Sequence, residues 1–206
     1  LLKKGVALDR VIGSLIVNKG IDPDSLFIGD RNAIIVATRV SGYGNDYTTK
    51  VTCPQCGANQ PYSFDLNDAS IYEGDEDNTM SVTDNQNGTF DVTLPKTNVI
   101  VTFKLLTGVD EKQLVTGAEV DKKQRLERGI TRQLAAMIEA VNGDPSIDAI
   151  RYLVENIPSS DSRHLRMSYK LTAPNVDMTQ HFECGECDYE QEMEVPLSAD
   201  FFWPDR

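Results

Sequence analysis

The four cysteines of the chain form two pairs with the same spacing, Cys53-Pro54-Gln55-Cys56 and Cys184-Gly185-Glu186-Cys187. A C-x-x-C turn places two thiolates side by side, and two such turns supply the four ligands of a tetrahedral structural zinc site. Four protein ligands leave no open coordination position for water or a substrate. The pattern therefore predicts a structural Zn²⁺ held by all four cysteines and argues against zinc-dependent hydrolysis.

The two pairs lie far apart, with 127 residues between Cys56 and Cys184. A compact zinc ribbon has roughly 15–20 residues between its two C-x-x-C pairs. We therefore expect a split ribbon whose halves enclose a large insertion. Closing so long a loop costs entropy, which a bound metal ion offsets. Gly57 and Gly185 are expected to supply the positive φ that turns backbone N–H groups toward sulfur, and Pro54 to stiffen the first turn.

Three other interpretations of the cysteines stay open: a redox pair, two local disulfides, or unpaired core thiols. A redox C-x-x-C places its first cysteine at a helix N-terminus, whereas Gly57 and Pro61 disfavour a helix after Cys53. Two C-x-x-C pairs with no further cysteine are more typical of metal binding in a reducing compartment than of a disulfide framework. Zinc is therefore the favoured interpretation.

The other chemically active residues form weaker patterns. His181 lies near the second cysteine pair, where it is either a supporting or alternative ligand or an ordinary strand residue, and His164 is expected on a helix surface. The acidic run 73–77 does not match the spacing of an EF-hand calcium loop, so a solvated loop is favoured. No catalytic set of residues is predicted, and we do not expect an enzyme.

One segment, residues 119–132, mixes charges of both signs. Mixed signs at helical spacing indicate an exposed helix face with i,i+4 pairs, with a subunit contact as the alternative. The basic residues are Lys122, Lys123, Arg125, Arg128 and Arg132, and the acidic ones are Glu119, Asp121 and Glu127.

The overall charge is strongly acidic, with a formal net charge of −12 and a pI of about 4.6. Such a surface repels phosphate, so neither nucleic acid nor an anionic membrane surface is an expected partner. No apolar run approaches the roughly 20 residues that a membrane-spanning helix needs, and we expect no secretory signal. Because the first residue is Leu1 rather than methionine, we expect native sequence to precede it.

Strands and hairpins are predicted to position the cysteines. Alternating apolar residues precede and follow the first pair over residues 46–66, and a similar alternation surrounds the second pair over residues 179–196. Another hairpin and a third strand are predicted over residues 81–104, with turn residues at 85–88. Each cysteine pair is thus expected at the tip of a β-hairpin.

Helices are predicted for most of the remaining chain. They cover residues 6–18, 24–39 with a break at Gly29, and a region that begins at Thr107 with Asp110 as its capping partner. An apolar stripe predicts one helix up to Asn142-Gly143, formed by Leu126, Ile130, Leu134, Met137, Ile138 and Val141. Asp144 and Pro145 are expected to start the next helix, with Ile147, Ile150, Val154 and Ile157 on its apolar face, and Ser160 with Asp161 to cap the last one.

These elements predict an α+β fold, a mostly helical body with a β-hairpin insertion and a zinc ribbon built from two distant C-x-x-C turns. The predicted segments are a helical N-terminus (1–45), the split ribbon (46–66 and 179–196), an acidic loop with a β-hairpin (67–106), a helical region (107–178) and an aromatic tail (197–206). The tail contains Phe201-Phe202-Trp203-Pro204 and is either a docking peptide or a lid on the core.

Several short segments, taken in order, resemble a known family. They are Asp30-Arg31, Arg39, Tyr43-Gly44, Cys53-Pro54-Gln55-Cys56 followed by a strand, Leu94-Pro95, the Cys184/Cys187 pair and Phe201-Phe202-Trp203-Pro204. In this order and spacing the chain resembles the T4-like phage baseplate proteins, hub-region components or hub-assembly factors of contractile tails. Only the four cysteines carry over as site residues.

The resemblance implies a structural or assembly protein of the virion tail baseplate, assembled in the host cytoplasm. Its expected partners are other phage tail and baseplate proteins. Both a permanent subunit and an assembly factor that leaves are compatible with the resemblance, as is a homo-oligomer within the baseplate.

Two other functional classes compete with this interpretation. A nucleic-acid-binding or adaptor zinc-ribbon protein would need basic or aromatic groups near the cysteines, whereas the second pair is surrounded by carboxylates that repel phosphate: Glu183, Glu186, Asp188, Glu190, Glu192 and Glu194. A C-x-x-C oxidoreductase would need a thiol activated for redox chemistry.

Overall fold

A computed structural model describes residues 4–196 and residue 201. The helices in these residues are α1 (Lys4–Leu15), α2 (Ile28–Tyr43), α3 (Gly108–Gln124), α4 (Gly129–Met137), α5 (Ile147–Asn156) and α6 (Ser159–Thr172). The strands are β1 (Asp46–Thr52), β2 (Asn59–Asp65), β3 (Ser70–Tyr72), β4 (Thr83–Asp84), β5 (Thr89–Thr93), β6 (Ile100–Lys104), β7 (Ile138–Val141), β8 (Asn175–Asp177), β9 (Thr179–Glu183) and β10 (Glu190–Glu194). The mixture of helix and strand confirms the predicted α+β class.

The chain divides into two compact units. The first contains residues 1–15, 29–72 and 175–206, and the second contains residues 16–28 and 73–174. Both units are thus assembled from segments that are separated in sequence. The five finer segments predicted above stay a prediction.

In the first unit, three antiparallel strand pairs form separate two-stranded sheets. β1 pairs with β2 over seven residues, β9 pairs with β10 over five, and β3 pairs with β8. Along β1, buried and exposed side chains alternate, and Tyr47, Thr49 and Val51 occupy the buried face. This period of two is what the sequence pattern predicted for the first hairpin.

An arginine joins α2 to the start of β1. The guanidinium of Arg39 is buried and donates hydrogen bonds to the carbonyl oxygens of Gly44 at 2.6 Å and Asp46 at 2.9 Å. Its Cζ lies 5.4–5.9 Å from the ring centroids of Tyr43, Tyr47 and Phe201, which is within cation–π range. One buried cation therefore binds the backbone that connects α2 to β1.

Phe201 belongs to this aromatic group and is 1% exposed, with its ring 5.0 Å from that of Tyr47 at an edge-to-face angle of 78°. At this position, the predicted aromatic tail covers the core. Phe202, Trp203 and Pro204 lie outside the described residues.

The second unit is built on the four-stranded antiparallel sheet β4-β5-β6-β7. Its core is a continuous apolar cluster of buried side chains from β5, β6, α4, β7, α5 and α6, together with two residues that follow strands: Val92, Leu94, Val101, Phe103, Leu106, Leu134, Met137, Ile138, Leu153, Val154 and Leu165. Removal of this apolar surface from water is the main favourable contribution to the stability of the unit.

One helix prediction is wrong. The stripe predicted as helical to Val141 ends as a helix at Met137, and residues 138–141 form β7, with Val101 opposite Val141 and Phe103 opposite Ile138. Without β7, the backbone of β6 would be an unpaired edge above the core. Pairing with β6 therefore overrides the local helical period, and Leu126 and Ile130 at the other end of the stripe stay exposed.

Smaller corrections concern helix ends. α5 begins two residues later than predicted because the side chain of Ser146 caps it by accepting from the Ala149 amide at 3.3 Å, and Ile147 is 73% exposed instead of buried. The helical region predicted over residues 24–39 does consist of two pieces, but the break lies before Gly29: a 3₁₀ turn covers Pro23–Ser25, and α2 runs unbroken from Ile28 to Tyr43. The predicted capping box at Thr107 and Asp110 is confirmed.

Asp161 was predicted to be a helix cap, but its carboxylate serves a distant turn. The side chain is fully buried and accepts hydrogen bonds from the amides of Lys96 at 2.9 Å and Thr97 at 3.0 Å and from the Thr97 hydroxyl at 2.8 Å. Burial opposes ionisation, but these three donors hold the pKa of Asp161 below its ordinary value. The ionised carboxylate thus anchors the β5–β6 turn to α6.

The charged segment 119–132 is mostly exposed, as predicted, but it contains an ion pair between a buried aspartate and a half-buried arginine. The Asp121 carboxylate on α3 is buried and accepts two hydrogen bonds from the Arg132 guanidinium on α4, the longer at 2.8 Å. Gly117 makes room for this arginine, because a Cβ there would lie 2.7 Å from Arg132 Nη1. The two helices thus meet through an ion pair across a glycine.

We predict that Asp161→Asn destabilises the chain by about 1–3 kcal/mol at pH 7, because an amide NH₂ placed near N–H donors leaves them unsatisfied. The folded-state pKa is lowered, so the ionised form stabilises the fold above the ordinary aspartate pKa of about 3.9 and this contribution disappears as the pH falls below it. Urea unfolding at pH 7, 4 and 3 measures the difference in the free energy of unfolding between the variant and the unmodified chain. Asp148→Asn, at an exposed position on α5, is the control; an equal loss in both variants would contradict the prediction.

We predict that Gly117→Ala destabilises the second unit by about 1–3 kcal/mol, since the added methyl group displaces Arg132 from its carboxylate partner. The matched control is Gly129→Ala on α4, where an added Cβ meets no atom within 4 Å and a small stabilisation of up to about 1 kcal/mol is expected. Thermal unfolding of both variants provides the measurement. A Gly117→Ala variant as stable as the control would show that Arg132 rearranges without loss.

Candidate metal centre

The structure brings the four cysteines together. Cys53 and Cys56 lie in the turn between β1 and β2, and Cys184 and Cys187 lie in the turn between β9 and β10. The four Sγ atoms all lie within 4.8 Å of one another. Both turns belong to the first unit.

The sulfur distances match a tetrahedral site. Sγ of Cys53 lies 3.8 Å from Sγ of Cys187, and Sγ of Cys56 lies 3.8 Å from Sγ of Cys184. A regular tetrahedron with zinc–sulfur bonds of about 2.3 Å has sulfur–sulfur edges of about 3.8 Å. A disulfide would need a separation of about 2.05 Å, and all four thiols are free. The arrangement therefore fits a thiolate-bound cation and not a disulfide.

The two turns have the same backbone hydrogen bonds. In the first, the Cys53 amide donates to the Ala58 carbonyl at 2.8 Å and the Gly57 amide donates to the Cys53 carbonyl at 2.9 Å. In the second, the Cys184 amide donates to the Tyr189 carbonyl and the Asp188 amide donates to the Cys184 carbonyl, both at 2.9 Å. The sequence spacing of each pair therefore produces one local structure twice.

The residue after each pair carries the positive φ that closes the turn. Gly57 has φ +74°, as predicted, but in the second turn this role belongs to Asp188 with φ +55°, not to Gly185. Aspartate is one of the few residues that enter the left-handed region at low cost, because its short side chain bonds locally. The amide of Gly185 donates to the Gln60 side chain of the first hairpin at 3.2 Å, a bond that any residue except proline could make.

Polar side chains connect the two hairpins directly. Gln60 on β2 also donates to the Glu183 carbonyl at 3.3 Å, and the Tyr62 hydroxyl donates to the His181 carbonyl at 3.2 Å. In the opposite direction, Gln180 on β9 donates to the Asp65 carbonyl at 2.7 Å. The side chains of each strand therefore satisfy the backbone of the other and fix the register in which the two cysteine turns meet.

Aromatic rings pack between the two hairpins that carry the cysteines. Phe64 and Phe182 are buried, and the Tyr62 ring lies 5.0 Å from both of them. Such pairs stabilise by about 0.5–1.5 kcal/mol beyond their burial. The contact between the two hairpins thus includes aromatic rings from both of them. Sequence reasoning identified these residues only as strand positions, because a period of two does not show which strands meet.

The four thiols differ in their exposure to solvent and in their pKa. Cys53 and Cys184 are buried, Cys187 is half-buried and Cys56 is exposed. Burial disfavours a Cys53 thiolate, yet the amides of Cys56 and Gln55 outweigh it and lower the pKa of Cys53 to about 7. At Cys187, burial and the neighbouring sulfurs raise the pKa to about 12. Without a cation, the negative charge of one thiolate repels a second one and so suppresses the ionisation of the neighbouring thiol. A bound divalent cation would compensate this repulsion.

The two histidines lie outside the four-cysteine group. His181 is exposed, and its Nδ1 lies 3.5 Å from a carboxylate oxygen of Glu192 across the hairpin. It also forms an exposed group with Glu183 and Glu190 whose candidate ligand atoms lie within 4.8 Å of one another. His164, half-buried on α6, contributes to the field around Asp161 and to no cysteine contact.

In the part of the chain that the structure describes, no helix has both the length and the apolar character to cross a bilayer.

Comparison with known proteins gives one match. No curated protein and no solved structure matches the chain. The profile of one family, described as T4 bacteriophage base plate protein, matches residues 3–203. This range covers nearly the whole chain, including both cysteine turns and every strand described above. The chain therefore belongs to the family of T4 bacteriophage base plate proteins, components of the tail baseplate of the virion.

Proposed function

We propose that this protein is a structural or assembly component of the hub region of a contractile-tail baseplate, and that a structural Zn²⁺ joins its two cysteine hairpins. The observation that carries the zinc part is the convergence of four Sγ atoms from two hairpin turns within 4.8 Å. Support for the baseplate part comes from the family match over residues 3–203.

The zinc ion would be held by Cys53, Cys56, Cys184 and Cys187. This donor set is typical of structural zinc, and two of its sulfur–sulfur edges already have the length that zinc requires. The ion would complete a split ribbon formed by residues 46–66 and 179–196. It would also close the long loop between Cys56 and Cys184. Closing this loop costs conformational entropy, and the free energy of metal binding offsets that cost.

We propose no catalytic role. Four thiolates fill the coordination sphere of zinc, so that no position is open for a water or a substrate. The cysteine turns lie between strands, and not at a helix N-terminus that would activate a redox thiol. The acidic side chains around the second turn support a protein partner rather than nucleic acid.

We predict that the purified chain contains one zinc ion and that Cys53→Ser and Cys184→Ser each remove it. Both variants should lower the melting temperature by about 10 °C or more, because they remove one ligand from the same ion. Elemental analysis and thermal unfolding, with and without a chelator, measure the two effects. The controls are Gln55→Ala and Glu186→Gln, which change a side chain between the cysteines of each turn. If one cysteine variant keeps its full metal content, a shared site is excluded.

We predict that the chain is present in a small stoichiometric number of copies in finished phage particles. Quantitative mass spectrometry of purified particles and of assembling lysates measures this. Copies in finished particles identify a permanent subunit, and association with tail proteins in lysates alone identifies an assembly factor. A chain that associates with tail proteins in neither sample would overturn the hub proposal and leave the zinc proposal intact.

A further inference from the structure

A cleft of about 340 Å³ lies in the second unit, whereas the cysteine turns belong to the first. Its walls come from the loop between β3 and β4, from β4 and β5, and from the C-terminal end of α6. This volume is at the lower end of the range for small-ligand pockets, about 300–1,000 Å³. It suits one or two side chains of a partner better than a large cofactor.

The floor and the rim of the cleft differ in chemistry. The floor consists of half-buried apolar side chains, Met80, Val82, Phe90 and Leu171. The rim carries four carboxylates, Glu73, Asp75, Glu76 and Asp84, and none of the described lysines or arginines lines the cleft. Phe90 also stacks on Phe103 of the core at 5.6 Å, so that the floor is continuous with the rigid part of the unit.

The loop that forms the rim is ordered by its own hydrogen bonds. The Asp75 amide donates to the Leu171 carbonyl at 2.8 Å, and the Asp75 carboxylate accepts from the amide and the hydroxyl of Thr79 at 2.7 and 2.6 Å. Asn78 and Val82 exchange two further bonds of 2.9 and 2.7 Å. The rim is therefore preformed, and a ligand would not have to order it on binding.

Charge decides what kind of group fits. Among the described residues, none of the four rim carboxylates forms an ion pair, and Glu73 and Glu76 are exposed and make no hydrogen bond through their side chains. Asp75, in contrast, already accepts from the Thr79 hydroxyl of the loop, and Asp84 accepts from the Gln86 amide in the turn between β4 and β5. An arginine side chain would lay its apolar stem along the floor and bring its guanidinium to Glu73 and Glu76.

We propose that this cleft is a docking site for an arginine-bearing, partly apolar segment of a neighbouring protein. The occupant follows from charge complementarity: a cation meets the two free rim carboxylates, and an adjacent aliphatic side chain covers the apolar floor. The site is independent of the cysteine turns and of zinc, and it holds whether or not the chain acts in the hub region.

The test uses the full-length chain and a fluorescent, end-capped peptide that contains Arg-Leu-Arg, at low ionic strength, where exposed charges are weakly screened. Two comparison peptides replace the leucine with serine or both arginines with glutamate. Fluorescence anisotropy measures affinity, and amide chemical shifts in nuclear magnetic resonance locate the site. We expect shifts concentrated at residues 73–84, Phe90 and Leu171, weaker binding of the serine peptide and no binding of the glutamate peptide.

We predict that Glu73→Gln/Glu76→Gln weakens binding of the Arg-Leu-Arg peptide about three- to tenfold, as expected for the loss of two exposed ion pairs. The matched control, Glu190→Gln/Glu194→Gln, removes the same charge from the β9–β10 hairpin and should leave affinity unchanged. Equal weakening in both variants, or shifts that map to residues 179–194, would overturn the proposal. So would calcium chloride that shifts the same cleft amides and excludes the peptide, since the cleft would then be an ion site.

Discussion

The first unit depends on the contact between two hairpins that lie far apart in sequence. A two-stranded hairpin is at best marginally stable in water by itself, and both β1–β2 and β9–β10 are of this kind. They stabilise each other through Gln60, Tyr62 and Gln180, whose side chains bond the backbone of the opposite hairpin, and through the ring of Phe182. A cation shared by the two cysteine turns would act on a contact that these groups have already aligned.

The two units use different physical means to remain folded. The second unit has a continuous apolar cluster beneath a four-stranded sheet, and single polar anchors such as Asp161 attach turns to it. The first unit has smaller sheets, a buried arginine among aromatic rings, and four clustered thiols that could hold a metal ion. Small sheets bury little apolar surface, which is the usual reason for a metal ion to supplement a core.

The distribution of charge is consistent with a protein that meets other proteins. Carboxylates dominate the exposed face of the β9–β10 hairpin and the rim of the cleft near Phe90, and the net charge of −12 extends this sign to the whole chain. Such a surface repels phosphate and attracts basic partners, and it raises the rate of association with them. In a baseplate, where many chains must join in one order, complementary charge also suppresses incorrect pairs.

The sequence by itself determined the elements whose signal is local. The C-x-x-C spacing specified two turns of one geometry, alternation specified the strands beside them, and Thr107 with Asp110 specified a helix start, because each depends only on neighbouring residues. Tertiary structure decided the features that depend on distant residues. Residues 138–141 form a strand because they pair with β6, and the Asp161 carboxylate binds the turn at Lys96 and Thr97 instead of capping its own helix. The meeting of Cys53 with Cys187 is the clearest case, since it depends on contacts between strands that are more than a hundred residues apart.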